Sequence, residues 1–218
     1  MIYNLPRAVK EIWPNDLDTA LEFTSTEAFS ISTTKNWNGK LEYTNGSGWK
    51  TWDGSEITSG ENGSDHCIYL RGTGNSKITG TTSSSAKWSI IGTNIASNGD
   101  IDLLLDYSTV KSGNRPAMAS NCYNSMFYGC TSLTAAPSLP ATTLASHCYY
   151  AMFYGCTKIK LSTTASGTYT KSYRIPKNGT GTTAYMALDN MFVKTGGTFK
   201  GTPKINTTYY LDKSNTIV

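Results

Sequence analysis

Four of the five cysteines stand in two pairs of identical spacing, Cys122 with Cys130 and Cys148 with Cys156. Seven residues separate the members of each pair, which is not the short spacing of a zinc knuckle. We interpret these four as small buried hydrophobic residues that form ladders, with disulfide bonds as the alternative. Cys67 belongs to no such pair, which favours reduced thiols or simple burial. The sequence therefore predicts no metal site and no cofactor.

Residues suited to acid–base catalysis are sparse. No Asp or Glu lies between Tyr107 and Leu188, so this stretch has no pair of carboxylates for glycosidase chemistry. His66 and His147 are far apart, and His147 takes a repeat position that Asn121 takes elsewhere. The nucleophile elbow, the phosphate loop and the zinc-protease motif are all missing from the sequence. We predict that the protein is not an enzyme.

The paired cysteines belong to a repeated stretch. Residues 119–133 return as residues 145–159 at an offset of 26, and ten of the fifteen positions are identical. A period of this length is typical of stacked units that bury their apolar faces against each other. A Met-Phe pair at the end of residues 187–192 follows 39 residues after Met152, which predicts a degenerate third repeat.

Apolar residues within each unit recur at helical spacing. Cys122, Met126 and Cys130 fall at i, i+4 and i+8, which is one stripe of a helix. We expect each unit to contain a helical turn or two, a reversal and a short extended run. The expected repeat core consists of Cys122, Met126, Phe127, Cys130 and Leu133 in the first unit, and of Cys148, Met152, Phe153, Cys156 and Ile159 in the second.

Tyrosines at equivalent repeat positions form a candidate binding surface. Tyr128 and Tyr154 lie away from the cysteine stripe and should be exposed, Tyr150 adds a third ring, and Lys158 adds a positive charge. Tyrosine combines a flat apolar face with a polar tip, which suits sugar stacking and protein interfaces. The alternative is that stacked tyrosines merely cover the convex face of the repeats. The candidate receptor- or glycan-binding residues are thus Tyr128, Tyr154, Tyr150 and Lys158.

Charge is distributed unevenly along the 218 residues. Residues 1–106 carry thirteen acids and eight bases, whereas residues 107–218 carry two acids and eleven bases. We interpret the basic half as a solvated lysine surface, with a face for anionic glycans or membranes as the alternative. The bases stand singly and not in a stripe, which argues against nucleic acid as a partner. No run approaches eighteen apolar residues, so we expect no membrane insertion.

The elements that would position these residues fall into three regions. Residues 1–18 are expected to form an extended arm that either packs on its own domain or anchors the chain to a partner. Residues 19–92 alternate apolar and polar positions between Asn-Gly and Asp-Gly turns, which predicts a β-sandwich-like module. Residues 93–218 hold the repeats and their caps. The candidate anchoring residues are Ile2, Tyr3, Leu5, Ile12 and Trp13. The fold class expected is mainly β with short helices.

The repeat motif resembles a known family. The stretch MFYGCTSL at residues 126–133, followed by SLPATTL at residues 138–144, is similar to the BspA-type leucine-rich repeat. Met126 departs from that pattern by replacing a small Ala, and the second unit lacks the Leu-Pro run. The resemblance implies a short leucine-rich-repeat-like solenoid with a C-terminal cap. Repeats of this type are associated with bacterial surface adhesins.

The chain as a whole also resembles virion proteins of gut bacteriophages, through its β module, its repeats and its GTP…NTTYY ending at residues 201–210. The start of the chain has no secretory signal pattern, which favours assembly in a host cytoplasm over export. The resemblance implies a tail or head fibre or a decoration protein that attaches to a receptor or glycan on the host surface. A secreted bacterial adhesin and a purely structural virion assembly protein are the alternatives. Expected partners are other virion proteins through the arm, and further copies of the chain, with a trimer favoured.

Overall fold

The computed structural model describes residues 13–80 and 87–215, and within them the fold is mainly β with one α-helix and several sheets. This confirms the predicted class. The strands of the first half are β1 Leu21–Ser25, β2 Ser30–Ser32, β3 Lys40–Thr44, β4 Lys50–Trp52, β5 Ile57–Thr58, β6 Gly60–Asn62, β7 Asp65–Thr73, β8 Ser89–Ile91 and β9 Ile95–Asn98. They are followed by helix α1, Leu103–Lys111.

The second half contains short strands separated by turns. They are β10 Leu133–Ala135, β11 Thr143–Leu144, β12 Lys160–Ser162, β13 Tyr169–Arg174, β14 Thr182–Thr183, β15 Gly196–Gly197 and β16 Thr208–Asp212. Two 3-10 helices, Leu17–Thr19 and Lys213–Asn215, lie near the two ends of the described chain. No helix in residues 13–80 and 87–215 is both long and apolar enough to cross a bilayer.

The first half is organised around a seven-stranded sheet and a three-stranded sheet. The larger sheet has the order β10-β9-β1-β7-β3-β4, with β6 also paired to β7, and the smaller has the order β5-β2-β8. Strand β1 pairs antiparallel with β7, so that Leu21 faces Leu70 and Phe23 faces Ile68. These four side chains are fully buried, as the alternation of apolar and polar residues predicts. The finer description as a β-sandwich-like module stays a prediction.

The hydrophobic core is continuous across the two halves. Strand β10 lies parallel to β9 at the edge of the large sheet, with Leu133 opposite Ile95. Phe127 in the second half packs edge-on against Phe23 and Trp88 at centroid distances of 6.2 and 6.1 Å. One core spans both sides of the predicted boundary between residues 92 and 93. The division of the chain into two domains at this point stays a prediction.

Three turn-rich segments of the second half lie side by side, residues 119–130, 145–156 and 184–195, which we call the stacked segments. Alternate backbone amides of each segment donate to carbonyl oxygens of the next: Tyr123 to Cys148 at 2.8 Å, Phe127 to Met152 at 2.9 Å, and Phe153 to Met191 at 3.0 Å. Other examples repeat the same register. The stacking therefore follows the 26- and 39-residue offsets of the sequence.

The expected helices in the repeats are absent, which corrects the prediction drawn from the Cys122, Met126 and Cys130 stripe. Residues 119–130 form consecutive turns, with positive φ at Asn121, Ser125 and Gly129, at 61°, 55° and 74°. A left-handed residue at every fourth position prevents a continuous α-helix. Alternate amides bond instead to the neighbouring segment, and those between them bond to the carbonyl three residues earlier, as Met126 N–H does to Tyr123.

Helix α1 is held very close to the large sheet. A Cβ atom at Gly72 in β7 would lie 1.7 Å from the carbonyl oxygen of Leu104, so only glycine permits this approach. The residues before the helix also reach the first stacked segment, because the Tyr123 hydroxyl donates to the Ile101 carbonyl at 3.0 Å. The run of leucines from 103 to 105 is buried here.

Candidate functional site

The stacked segments bring Tyr128 and Tyr154 into direct contact at the surface. Their rings are parallel within 4°, with centroids 4.6 Å apart, and both side chains are partly exposed. The pair occupies equivalent positions because Gly129 N–H donates to the Tyr154 carbonyl, which fixes the register of the two segments. The surface thus presents two aromatic side chains in a fixed arrangement.

A lysine lies over each member of this tyrosine pair. Lys87 Nζ is 6.0 Å from the centroid of Tyr128, and Lys194 Nζ is 5.3 Å from the centroid of Tyr154. Lys87 comes from the far side of the first segment, where Trp88 N–H donates to the Met126 carbonyl. The order along the stack is therefore lysine, tyrosine, tyrosine, lysine, and we call these four residues the tyrosine–lysine row.

The row changes what the tyrosines can do chemically. Each ring has its partner on one face and an ammonium group near the other, within the range of cation–π attraction. Interaction with the Tyr154 hydroxyl raises the pKa of Lys194 above its ordinary value. Sugar stacking on an open ring face, which the sequence suggested, would require a lysine to move. The row is better suited to hydrogen bonds and to contacts with negative charge.

The other two predicted binding residues are engaged elsewhere. The Tyr150 hydroxyl accepts a hydrogen bond from Asn190 Nδ2 at 3.2 Å, and its ring lies 5.7 Å from that of His147. Lys158 Nζ donates to Asn94 Oδ1 at 2.9 Å. The structure brings two of the four predicted residues together and gives the other two different contacts.

Lys87 and Lys194 were missed by the sequence reasoning. Lys194 follows the residue that aligns with Tyr154 at the 39-residue offset, so extending the repeat alignment could have found it. Lys87 precedes the repeats and has no counterpart in them. Only the three-dimensional structure places it beside Tyr128.

All the predicted repeat-core residues are buried. The exposed fraction of each is 5% or less: Cys122, Met126, Phe127, Cys130, Leu133, Cys148, Met152, Phe153, Cys156 and Ile159. All five cysteines of the chain are free thiols. The Cys156 thiol donates to the Phe127 carbonyl at 3.0 Å, so this side chain bridges two stacked segments. In the described ranges, no group of three His, Cys, Asp or Glu residues is arranged to hold a metal ion.

Burial sets the acidity of these thiols. It raises the pKa of Cys130 and of Cys148 to about 12, and raises those of Cys122 and Cys156 well above the ordinary thiol value. Burial likewise raises the pKa of Cys67. Because the thiolate is the reactive form, native thiols should be nearly inert at pH 8.

We therefore expect an aromatic disulfide reagent to label the native protein far more slowly than the protein in guanidinium chloride, where all five thiols should react at once. The measurement is the release of the coloured thiol product over time. Rapid labelling of any thiol before unfolding would contradict the buried cysteine ladder.

An acidic cluster next to the stacked segments was also missed. Asp102 is fully buried, and neither of its carboxylate oxygens has a hydrogen-bond partner in the described chain. Arg115 Nη1 lies 3.5 Å from Asp102 Oδ2 and forms a closer ion pair with Asp100. Burial, together with the nearby charge of Asp100, raises the pKa of Asp102 from 3.8 to about 7.

The anchoring residues fall mostly outside the described chain. Ile2, Tyr3, Leu5 and Ile12 precede residue 13, and the structure describes Trp13 alone of the five. The Trp13 ring lies edge-on to Tyr69 at 5.5 Å, and its Nε1 donates to the Glu61 carbonyl at 3.0 Å. At this point the chain contacts its own large sheet.

Residue Asp16 continues this attachment. Its carboxylate accepts hydrogen bonds from Arg71 Nη1 at 2.5 Å and from Trp49 Nε1 at 2.9 Å. The Arg71 guanidinium is itself sandwiched between the rings of Trp49 and Tyr107, at 3.8 and 4.3 Å. These contacts attach Trp13 and Asp16 to the sheet, and the Arg71 guanidinium covers one face of the partly exposed Trp49 ring.

Comparison with protein-family models, curated proteins and solved structures finds no match for this chain.

Proposed function

We propose that this protein is a non-enzymatic attachment protein of a bacteriophage virion, a tail or head fibre or a decoration protein, assembled in the host cytoplasm. It binds a receptor or glycan of the host surface through the tyrosine–lysine row. The observation that carries the proposal is the parallel Tyr128–Tyr154 pair, held in register at the surface by the backbone of two stacked segments.

The fold proposed for this function is a β-sandwich-like module joined to a short solenoid of the BspA type. The regular hydrogen bonds between stacked segments support the solenoid. The Phe127, Phe153 and Phe192 rings support it as well, since they stack with successive centroid distances of 5.5 Å. One side chain from each segment contributes to this ladder, as expected when each unit buries its apolar face only against its neighbours.

Several properties of the row suit recognition. Tyrosine has few rotatable bonds, so it loses little entropy on binding, and here stacking already restricts the rings. Lys87 and Lys194 add positive charge at both ends. An anionic receptor would be attracted by this charge and could accept hydrogen bonds from hydroxyl and ammonium groups together. We therefore propose an acidic surface polysaccharide as the receptor class.

One observation favours a second function, that of a purely structural virion assembly protein. Lysines of the same chain already contact the outer faces of both rings, which leaves no open ring face for a receptor. This is expected of side chains that only cover the repeats. In that function the row would contribute to stability and would contact no receptor.

A double substitution separates the two functions. Tyr128→Ala with Tyr154→Ala should leave the melting temperature within a few degrees of the parent, because both side chains are partly exposed. Binding to a panel of immobilised acidic bacterial polysaccharides, and adsorption to intact gut-bacterial cells, should fall at least tenfold.

Tyr185→Ala is the matched control, because this tyrosine is 73% exposed and lies outside the row. It should bind as the parent does. Unchanged binding by the folded double variant would contradict the attachment function and favour the structural one.

A further inference from the structure

A pocket of about 360 Å³ lies between three parts of the chain that are distant in sequence. Most of its walls come from the end of β9 and the turn after it at residues 98–100, from the end of β10 and the chain after it at residues 135–140, and from strand β13 with the turn at residues 177–178. The volume is near the lower end of the range for small-molecule sites, about 300–1,000 Å³. It therefore suits a ligand of monosaccharide size.

Direct hydrogen bonds fix these walls against each other. The Tyr173 hydroxyl donates to the Pro137 carbonyl at 3.1 Å, and Lys177 N–H donates to the Leu139 carbonyl at 2.9 Å. Ser138 N–H donates to the Gly99 carbonyl at 2.9 Å. All three walls are thus joined, and a preformed pocket loses little free energy to ordering when a ligand binds.

The charge of the lining is strongly positive. Arg115, Lys171, Arg174 and Lys177 border the pocket, against the single carboxylate of Asp100. Asp100 is paired with Arg115, which leaves the other three cations without a carboxylate partner in the described chain. Lys171 and Lys177 are exposed, so their ammonium groups are free to turn toward a ligand.

Arg174 is positioned by neutral groups. Its Nη1 donates to the carbonyls of Pro176 at 2.8 Å and Gly179 at 2.6 Å, and its Nη2 lies 3.4 Å from Asn206 Oδ1. These bonds fix the guanidinium without cancelling its charge. A fixed and uncompensated guanidinium at the edge of a pocket favours an oxyanion.

The remaining lining combines apolar and polar groups. Ala135, Ala136 and Leu211 contribute apolar surface, whereas Ser172 and Asn178 are exposed side chains that can bond to hydroxyl groups. A ligand that carries one negative charge on a ring with several hydroxyls matches this mixture. An inorganic anion would use only the cations, and a neutral sugar only the remainder.

We propose that this pocket binds an acidic monosaccharide unit, a sugar ring that bears a carboxylate. The carboxylate lies toward Lys171, Arg174 and Lys177, and the ring hydroxyls lie toward the serine and asparagine side chains. The site goes beyond the tyrosine–lysine row and does not rest on it, because the two share no residue.

The test is calorimetric titration of the full chain with glucuronate, with glucose as the neutral counterpart and with inorganic sulfate as the oxyanion without a ring. Glucuronate should bind at least tenfold more tightly than either, and its affinity should fall as salt concentration rises. Equal affinity for glucose, or for sulfate, would overturn the proposal, the second by reducing the pocket to a site for inorganic anions.

Two double variants of equal charge locate the site. Lys171→Gln with Lys177→Gln should weaken glucuronate binding at least tenfold, whereas Lys200→Gln with Lys204→Gln, which are exposed and outside the pocket, should change it less than twofold. Equal effects of the two would show a general charge effect and overturn the pocket assignment. Tyr128→Ala with Tyr154→Ala should bind glucuronate normally, so failure of the tyrosine–lysine row remains distinguishable from failure of the pocket.

Discussion

Replacing Phe153 by alanine should lower the free energy of unfolding by about 3–5 kcal/mol, the range for emptying a core aromatic site. Phe153 is fully buried in the middle segment, between Phe127 and Phe192 at 5.5 Å on either side. A cavity there would separate the ring contacts of both neighbouring segments. Phe127→Ala should cost a similar amount, because Phe127 also contacts Phe23 and Trp88.

Denaturant titration followed by circular dichroism measures this effect. Phe153→Leu is the graded variant, since it keeps much of the apolar volume and should lose less stability than alanine. Thr157→Ala tests an exposed position of the same repeat and should change stability by no more than about 0.5 kcal/mol. If Phe153→Ala melted within a degree or two of the parent, the ring would not belong to the core of the stacked segments.

The repeat offset carried most of the structural information in the sequence. It predicted which residues lie over one another, and the Tyr123–Tyr149, Phe127–Phe153 and Tyr128–Tyr154 pairs stack as the 26-residue offset requires. Stacked repeats place identical residues in identical environments, so identity at a fixed offset is a direct signal of contact.

The helix prediction failed because it rested on spacing alone. Positions i, i+4 and i+8 fit a period of 3.6 approximately and a period of 4 perfectly, and the segments have a period of 4. The signal that separates the two lay in the residues at positive φ. Gly129 and Asn121 are types that tolerate that conformation, and they stand eight residues apart with Ser125 midway.

Some residues of the candidate sites could be predicted from the repeat, and others could not. The Tyr128–Tyr154 pair was predictable because both residues belong to the repeat. The contact made by Lys158 was not predictable, because a long side chain bonds to whichever group the fold brings near it, here Asn94. The pocket near Lys171 has walls that are far apart in sequence, and nothing in the local pattern of residues 98–100 or 135–140 indicates that they meet.

Nothing in the sequence indicates that Asp102 is buried. Its position after Ile101 and before a leucine run is that of an ordinary residue at the start of a helix. The fold buries it completely and leaves both carboxylate oxygens without a hydrogen bond in the described residues. An ionised carboxylate in such a position is costly, which is why its pKa rises to about 7.

Asp102→Asn should therefore stabilise the protein at alkaline pH. In the parent, the folded state keeps the Asp102 proton up to about pH 7, whereas the unfolded state loses it near 3.8. The folded state binds more protons between these values. The contribution of protonated Asp102 to stability is therefore fully present below about pH 4 and is lost as pH rises through 7. A difference of about three between the unfolded and folded pKa values corresponds to about 4 kcal/mol in the free energy of unfolding at pH 8.

Stability curves of parent and variant at several pH values between 4 and 8 measure this linkage. The two proteins should be nearly equal at pH 4, because asparagine resembles the protonated acid, and the advantage of the variant should grow up to about pH 7 and then level off. Arg115 keeps its ion pair with Asp100 in the variant, so its charge is not left alone.

Asp106→Asn is the control, because the fold lowers the pKa of Asp106 and raises that of Asp102. Despite partial burial, hydrogen bonds from Ser108, Gly74 and Thr109 lower the pKa of Asp106 to about 2, so its contribution is present above 3.8 and is lost as pH falls through 2. That variant should be less stable than the parent by a constant amount from pH 5 to 8. A pH-independent difference for Asp102→Asn as well would show that Asp102 is paired or hydrated in solution, and that burial does not govern its ionisation.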